Sequence, residues 1–215
     1  MLLLILFLVL KTIIKNFEYI RANSWLKFFL RELSVSVANK MITKEQILEA
    51  LHDVKDPEIP KLSVVDLGVI TNVEISKILV PNLPIGNAQE GTNVLVTMTP
   101  TFAGCPALTV MKEDIKTRLE SIPEIETVEV NVSFDKQWSS DMISEEGRRV
   151  LKESGFAPPH VLGNELVQIE ILKDVECPLC GSKNTELRNS FGPTLCRAIH
   201  YCNNCRQAFE QFKPL

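Results

Sequence analysis

The sequence predicts an α+β protein in two parts: a two-layer α-β-β-α-β domain, then a small all-β zinc ribbon. Three observations carry that reading. Segments 43–54 and 106–121 place apolar residues at helical spacing. Segments 93–99 (NVLVTMT) and 125–134 (IETVEVNVSF) are β-branched and alternating, as half-buried strands are. Five of the six cysteines fall between 177 and 205, four of them as two C-x2-C pairs.

The first helix starts at Thr43, where Thr43 and Gln46 form a capping box before Ile47, Leu48, Leu51 and Val54 line one face. Asp56-Pro57-Glu58-Ile59-Pro60 stops it, because two prolines exclude a continuing helix. Residues 64–67 and 69–75 bracket Gly68 and read as a bend leading into a strand. Segment 76–92, with Pro81, Pro84, Gly86 and Gly91, reads as a long hairpin connection to strand 93–99. The second helix carries Leu108, Met111, Ile115 and Leu119 as its apolar stripe, and strand 125–134 follows. A short charged helix over 144–154 ends at Gly155, and Ala157-Pro158-Pro159 closes the domain. At about 115 residues it is large enough for its own core. The expected division is 1–40 as an N-terminal extension, 41–160 as the α+β domain and 161–215 as the ribbon.

From Leu166 onward short strand-like runs (LVQIEIL, TELRNSF, FEQFK) alternate with cysteines. A segment of about 45 residues buries too little surface to fold unaided, so a metal is the expected staple. Cys177-Pro-Leu-Cys180 and Cys202-Asn-Asn-Cys205 lie 21 residues apart. Each two-residue spacer turns two thiolates to one point, and two such knuckles make a tetrahedral S4 site, a structural zinc site. A rubredoxin-like iron site uses the same ligands, and disulfides are the competing non-metal reading. Cys196 is left over, as an extra ligand, a thiol facing a partner, or a buried free cysteine. His200 is the only histidine near these ligands; His52, on the first helix, is expected at the surface, and His160 follows Pro158-Pro159.

Cys105 is the only cysteine of the first domain, in Thr99-Pro100-Thr101-Phe102-Ala103-Gly104-Cys105-Pro106. It lies between a strand and a helix, with Pro106 suited to the first helical position. A thiol at a helix N-terminus has its pKa lowered by the dipole, and Thr99 and Thr101 add hydroxyls nearby. A buried structural cysteine is the alternative. Asp56, Glu58 and Asp66 sit in turns, where they either accept backbone N–H groups or, placed near Cys105, help hold a metal or cluster. No Ser/His/Asp triad spacing, phosphate-cradling glycine loop or H-E-x-x-H motif is present.

Charge divides the chain unevenly. Residues 1–40 carry six Lys/Arg against Glu18 and Glu32, a net +4; with a total of −4, residues 41–215 carry −8. The overall acidity removes the electrostatic case for nucleic-acid binding. Residues 1–10, MLLLILFLVL, span about 15 Å as a helix, half the hydrocarbon thickness, so no stable membrane insertion is expected. Charges follow the run rather than precede it, and no A-x-A site appears, unlike a secretory signal. The expectation is an upstream extension from a misplaced start codon before Met41, in a cytoplasmic protein. The competing reading is a membrane-associating segment using Trp25, Phe28, Phe29, Lys27 and Arg31.

DPEIPKLSVVDLGVI (56–70) followed by TMTPTFAGCPAL (97–108) resembles the iron–sulfur assembly domain of SufT-like and cytosolic MIP-type proteins. Trp138, ISEEGRRVLKESGFAPP (143–159), CPLCGS, FGPTLCRAIHYC and CNNC are more specific. Over 41–215 the chain resembles the PaaD (PaaJ) family, accessory subunits of phenylacetyl-CoA epoxidase in aerobic phenylacetate degradation. The resemblance implies an assembly domain followed by a zinc ribbon, and a role in maturing or inserting the iron–sulfur cluster of the reductase subunit. By position, Cys105 matches the family's reactive cysteine, and Asp56, Glu58 and Asp66 its acidic motif. Cys177, Cys180, Cys202 and Cys205 match the ribbon ligands, with Cys196 at the extra-cysteine position. The implied partners are the reductase and oxygenase subunits, with a homodimer as a natural source of further cluster ligands; iron or a cluster would be held only transiently. Two alternatives stand beside this. One is a structural subunit that docks on the oxygenase through its ribbon; the other is a thiol enzyme pairing Cys105 with Cys196.

Overall fold

A computed structural model describes residues 42–81, 88–161, 163, 172 and 175–214. The N-terminal extension, and all of the run at 166–172 except Leu172, lie outside the described residues. Among those described, no helix is long and apolar enough to cross a membrane.

Helix α1 (Lys44–Leu51) opens with the expected capping box: Gln46 N–H donates to Thr43 Oγ1, and Thr43 N–H donates to Gln46 Oε1 at 2.9 Å. Such a cap contributes about 1 kcal/mol. Beyond it, β1 (Lys55–Asp56) and β2 (Ile59–Ser63) form a small antiparallel hairpin where the residue pattern signals only a turn. Strands β3 (Ile70–Pro81) and β4 (Ala88–Met98) pair antiparallel, and β5 (Thr127–Val132) joins β4 in parallel, giving the order β3-β4-β5. The long connection expected over 76–92 is therefore mostly strand. Pro81 ends β3, where a missing N–H disrupts least, and Gly91 stands in register opposite Ile78, so neither breaks the ladder.

The parallel β4–β5 pair requires a crossover, which α2 (Leu108–Glu120) supplies. Its Met111, Ile115 and Leu119 are buried, as are Ile47 and Leu51 of α1. They meet the inward residues Val94, Val96 and Met98 of β4 and Val128 and Val130 of β5 in one core. Each such side chain contributes about 1.5–3 kcal/mol on burial. This is the two-layer α+β arrangement that the sequence predicts. Gly68, at φ +74, makes the bend into β3; a Cβ there would collide with the Met142 carbonyl.

Ser144 caps α3 (Glu145–Glu153), accepting from Gly147 N–H at 2.9 Å. The chain then passes through β6 (Phe156–Ala157) into the cysteine-rich part, which holds β7 (Thr185–Asn189), β8 (Arg197–Cys202) and β9 (Ala208–Phe212). Strand β8 is not legible in the sequence, because Arg197 and His200 mask its alternation. The sheet order is β6-β9-β8-β7, with β6 parallel to β9 and the other pairs antiparallel. Thus β6, which immediately follows α3, forms the edge of the ribbon's own sheet. Phe212 of β9 belongs to the main core, edge-on to Trp138 at 6.0 Å between ring centroids. Trp138 Nε1–H donates to Leu67 O at 3.2 Å. The two parts share a sheet and a core.

Candidate functional site

Two thiol constellations form. The first is local. In each C-x2-C knuckle the backbone closes on itself: Gly181 N–H donates to Cys177 O and Arg206 N–H to Cys202 O, both at 2.9 Å. The two knuckles face each other across the ends of β7 and β8, bringing all four Sγ atoms within 4.8 Å of one another. Cys177 and Cys205 stand 3.8 Å apart, and Cys180 and Cys202 3.6 Å. A tetrahedron with metal–sulfur bonds of about 2.3 Å has edges of about 3.8 Å, so the quartet fits zinc. No cysteine is disulfide-bonded. The Ser182 backbone N–H, aided by the Asn204 amide, draws the Cys180 thiol down to about 6, whereas burial and the neighbouring thiols push Cys205 up to about 12. Four crowded sulfurs do not all ionise without a cation among them. His200 is not a ligand. It is buried and stacked on Phe209, its Nε2 is 3.0 Å from Gln211 Oε1, and burial lowers its pKa.

The second constellation is assembled from distant segments. Cys105, beyond the carboxyl end of β4, shares a cleft of about 210 Å³ with Glu58, Thr101 and Cys196, walled by Phe102 and Leu195. The helix begins later than expected: Leu108 is its first residue, Ala107 its N-cap without a side-chain bond, and Pro106 lies outside it. The expected acidification of Cys105 is reversed accordingly. Burial pushes its thiol up, the acidic surroundings of Asp56, Cys196 and Glu58 add to this, and the Ala107 N–H only partly opposes it. Cys196 is likewise raised by burial, against the Thr194 hydroxyl at 3.2 Å and nearby Arg197. Both are thiols at neutral pH.

Of the carboxylates, only Glu58 lines the cleft. Asp56 stands behind it, its Oδ1 accepting from Glu58 N–H (2.7 Å) and Ile59 N–H (3.0 Å); burial raises its pKa despite these bonds. Asp66 lies elsewhere. Its Oδ2 accepts from Ser63 Oγ–H at 2.5 Å and its Oδ1 from Ser144 Oγ–H at 2.7 Å. His52, expected at the surface, is only half exposed and sets Nδ1 3.2 Å from both Asp66 Oδ2 and Ser63 Oγ. Burial raises the Asp66 carboxyl, but these hydrogen bonds and His52 outweigh it and hold it below its ordinary value. Thr99 is buried at the end of the sheet, its N–H donating to Val69 O at 2.8 Å.

Arg197 is the residue that sequence reasoning misses. It is buried, pairs Glu58 through Nη2 and Glu210 through Nη1, both at 3.0 Å, and lies over the Phe156 ring. It ties the acidic turn of the first part to the ribbon sheet. Glu58 and Arg197 are 139 residues apart, a distance over which no spacing pattern operates.

Comparison with known proteins follows the same division. The family model described as "PaaD zinc beta ribbon domain" matches residues 166–213, and that described as "Iron-sulfur cluster assembly protein" matches 44–132. An Escherichia coli (strain K12) protein named as a 1,2-phenylacetyl-CoA epoxidase subunit is 31% identical over 168 residues, covering 78% of this chain and 91% of its own length. The chain belongs to the PaaD family. In PaaD-family terms the Cys177, Cys180, Cys202 and Cys205 quartet is the metal site of the zinc β ribbon. An "Fe-S protein maturation auxiliary factor" of Porphyromonas gingivalis is 37% identical over 114 residues, covering 53% of this chain and 92% of its own. A crystal structure of a domain of unknown function from Bacillus anthracis aligns with 50% of this PaaD-family chain and 90% of its own, at 28% identity and a TM-score of 0.40.

Proposed function

We propose that this chain is a cytoplasmic accessory subunit of phenylacetyl-CoA epoxidase in aerobic phenylacetate degradation, which matures or inserts the iron–sulfur cluster of the reductase subunit through Cys105. The observation that carries the reading is the position of Cys105 in a cleft at the carboxyl end of β4, in a chain whose assembly half is related to maturation factors and which over most of its length is related to an epoxidase subunit. Bound zinc supplies a structural crosslink that holds the ribbon's two knuckles together. The remaining work falls to the cleft. Burial and the acidic neighbours keep Cys105 protonated until iron displaces the proton, so the thiol is stored unreactive and becomes a ligand only when cargo arrives. A lone thiolate does not retain a cluster, which suits transient handling rather than storage. Further ligands come from the client or from a second copy in a homodimer.

A second reading, a structural subunit that docks on the oxygenase through its ribbon, draws on the exposed Leu179, Phe191 and Leu195. Cys105→Ala separates the two. The maturation role predicts that cells carrying this variant make a folded, zinc-containing chain, a reductase depleted of iron, and no growth on phenylacetate. Normal growth with an iron-replete reductase would sink it and favour docking.

A further inference from the structure

We propose that Cys196, from the ribbon, is the second protein ligand of the iron–sulfur cargo, so that Cys105 and Cys196 grip it from opposite sides of the cleft. The inference deepens the maturation reading and rests on it for the identity of the cargo. Both thiols line the same cavity, yet they come from different parts of the chain, one from the β4–α2 connection and one from the loop before β8.

Cys196 is held there rather than left over. Its carbonyl accepts from Lys213 N–H at 2.8 Å, at the end of β9. The loop before it is closed by Gly192 N–H to Arg197 O at 2.8 Å and Arg197 N–H to Thr194 O at 3.1 Å. A Cβ at Gly192 would come within 2.9 Å of the Arg197 Cβ, so the close approach needs glycine. Arg197 follows directly and anchors this loop to Glu58 on the facing wall. The ribbon therefore has a role at the cleft: its sheet, with Phe212 in the main core, carries Cys196 to a fixed position opposite Cys105.

The cargo is larger than one ion. Among the described residues only the ribbon quartet converges three or more His, Cys, Asp or Glu side chains on a single metal position. Cys105, Cys196 and Glu58 face one cavity without forming such a set. A two-iron cluster, in which each iron takes its own thiolate, matches two thiols across a cleft of about 210 Å³. Loading is ligand exchange without change of oxidation state. Each new iron–sulfur bond to Cys105 or Cys196 replaces one bond to a thiolate of the donor, and the departing thiolate takes the proton that the cysteine gives up. The two other cluster positions keep small-molecule thiolates until the client's cysteines displace them.

The test uses the full zinc-loaded chain and a preformed two-iron, two-sulfide cluster held by glutathione, mixed anaerobically and passed through gel filtration. Wild type retains iron and sulfide; Cys105→Ser and Cys196→Ser each lower the retained iron by about tenfold or more, the scale at which losing a partner of a metal site is felt. Zinc stays at about one per chain in all three, showing that the ribbon is intact. Retention by Cys196→Ser equal to wild type, or no retention by wild type, overturns the proposal. A trivalent arsenical that needs two thiols gives an independent readout. It titrates wild type, and either single substitution abolishes that binding; an unchanged titration in Cys196→Ser contradicts the juxtaposition. The maturation reading fails separately, on an iron-replete reductase in Cys105→Ala cells, whatever the purified chain binds.

Discussion

The ribbon quartet and the cleft pair use the same side chain in opposite ways. In the quartet, four sulfurs crowd together on two short loops, and backbone N–H groups draw Cys180 towards the thiolate. In the cleft, two sulfurs sit apart under burial and negative charge, and both are held as thiols. The first arrangement favours a permanently bound cation; the second delays ionisation until a cargo competes for the proton. The contrast separates a structural site from a handling site, and substitutions should divide along it.

The largest effect belongs to the quartet. Structural zinc contributes on the order of 10 kcal/mol in small ribbons, so Cys177→Ala or Cys202→Ala loses the metal and melts the ribbon. Because β6 and Phe212 join that sheet to the first part, the loss reaches Trp138. In a Trp25→Phe background its fluorescence should shift red together with zinc release. An unshifted Trp138 would mean that the two parts are energetically separate.

Next comes the link between the regions. Arg197→Met leaves Glu58 and Glu210 without their cation, a loss of about 3–5 kcal/mol for a buried pair. Thermal unfolding reads the stability, and alkylation of Cys196 at varied pH reads the electrostatics. Without Arg197 the Cys196 reactivity profile moves to higher pH, since that cation lowers its pKa in wild type.

Gly68→Ala tests the bend at which β3 begins, within the first region alone. The clash with Met142 and the positive φ should lower stability by about 2–4 kcal/mol, measured by urea unfolding, while zinc content stays constant.

A smaller effect is expected at Asp66. Its folded pKa lies below the unfolded value of about 4, so the carboxylate contributes stability above that pH and loses it as pH falls through the folded value. Asp66→Asn should therefore be less stable than wild type near neutrality, and the gap should close in acid. A gap independent of pH would assign the effect to packing. The smallest effect is that of Cys105→Ala, which leaves the melting temperature nearly unchanged because truncating one half-buried sulfur at the cleft removes little apolar contact.

The same contrast explains what is legible in the sequence. The quartet is, because its spacing is local: two residues within each knuckle fix where the thiolates point. Thr43 with Gln46, Ser144 with Gly147 and the stripe of α2 are legible for the same reason, each resting on contacts within a turn or two. The cleft is not. Cys105 can be singled out, but its pKa direction cannot, since burial and the charges of Asp56 and Glu58 depend on how separate loops meet. Asp66 shares a motif with Glu58 but turns to Ser63, Ser144 and His52 instead. Segment 76–92 reads as a loop because prolines and glycines signal one locally, while ladder pairing across the hairpin overrides them. Arg197 carries no signal at all, being defined by partners on other strands.

The most direct measurement is the iron and acid-labile sulfide content of the reductase subunit purified from cells whose only copy of this chain carries Cys105→Ser. The account predicts a reductase largely lacking its cluster beside a variant chain that still holds about one zinc and melts like wild type. A reductase with its full complement of iron and sulfide would contradict it.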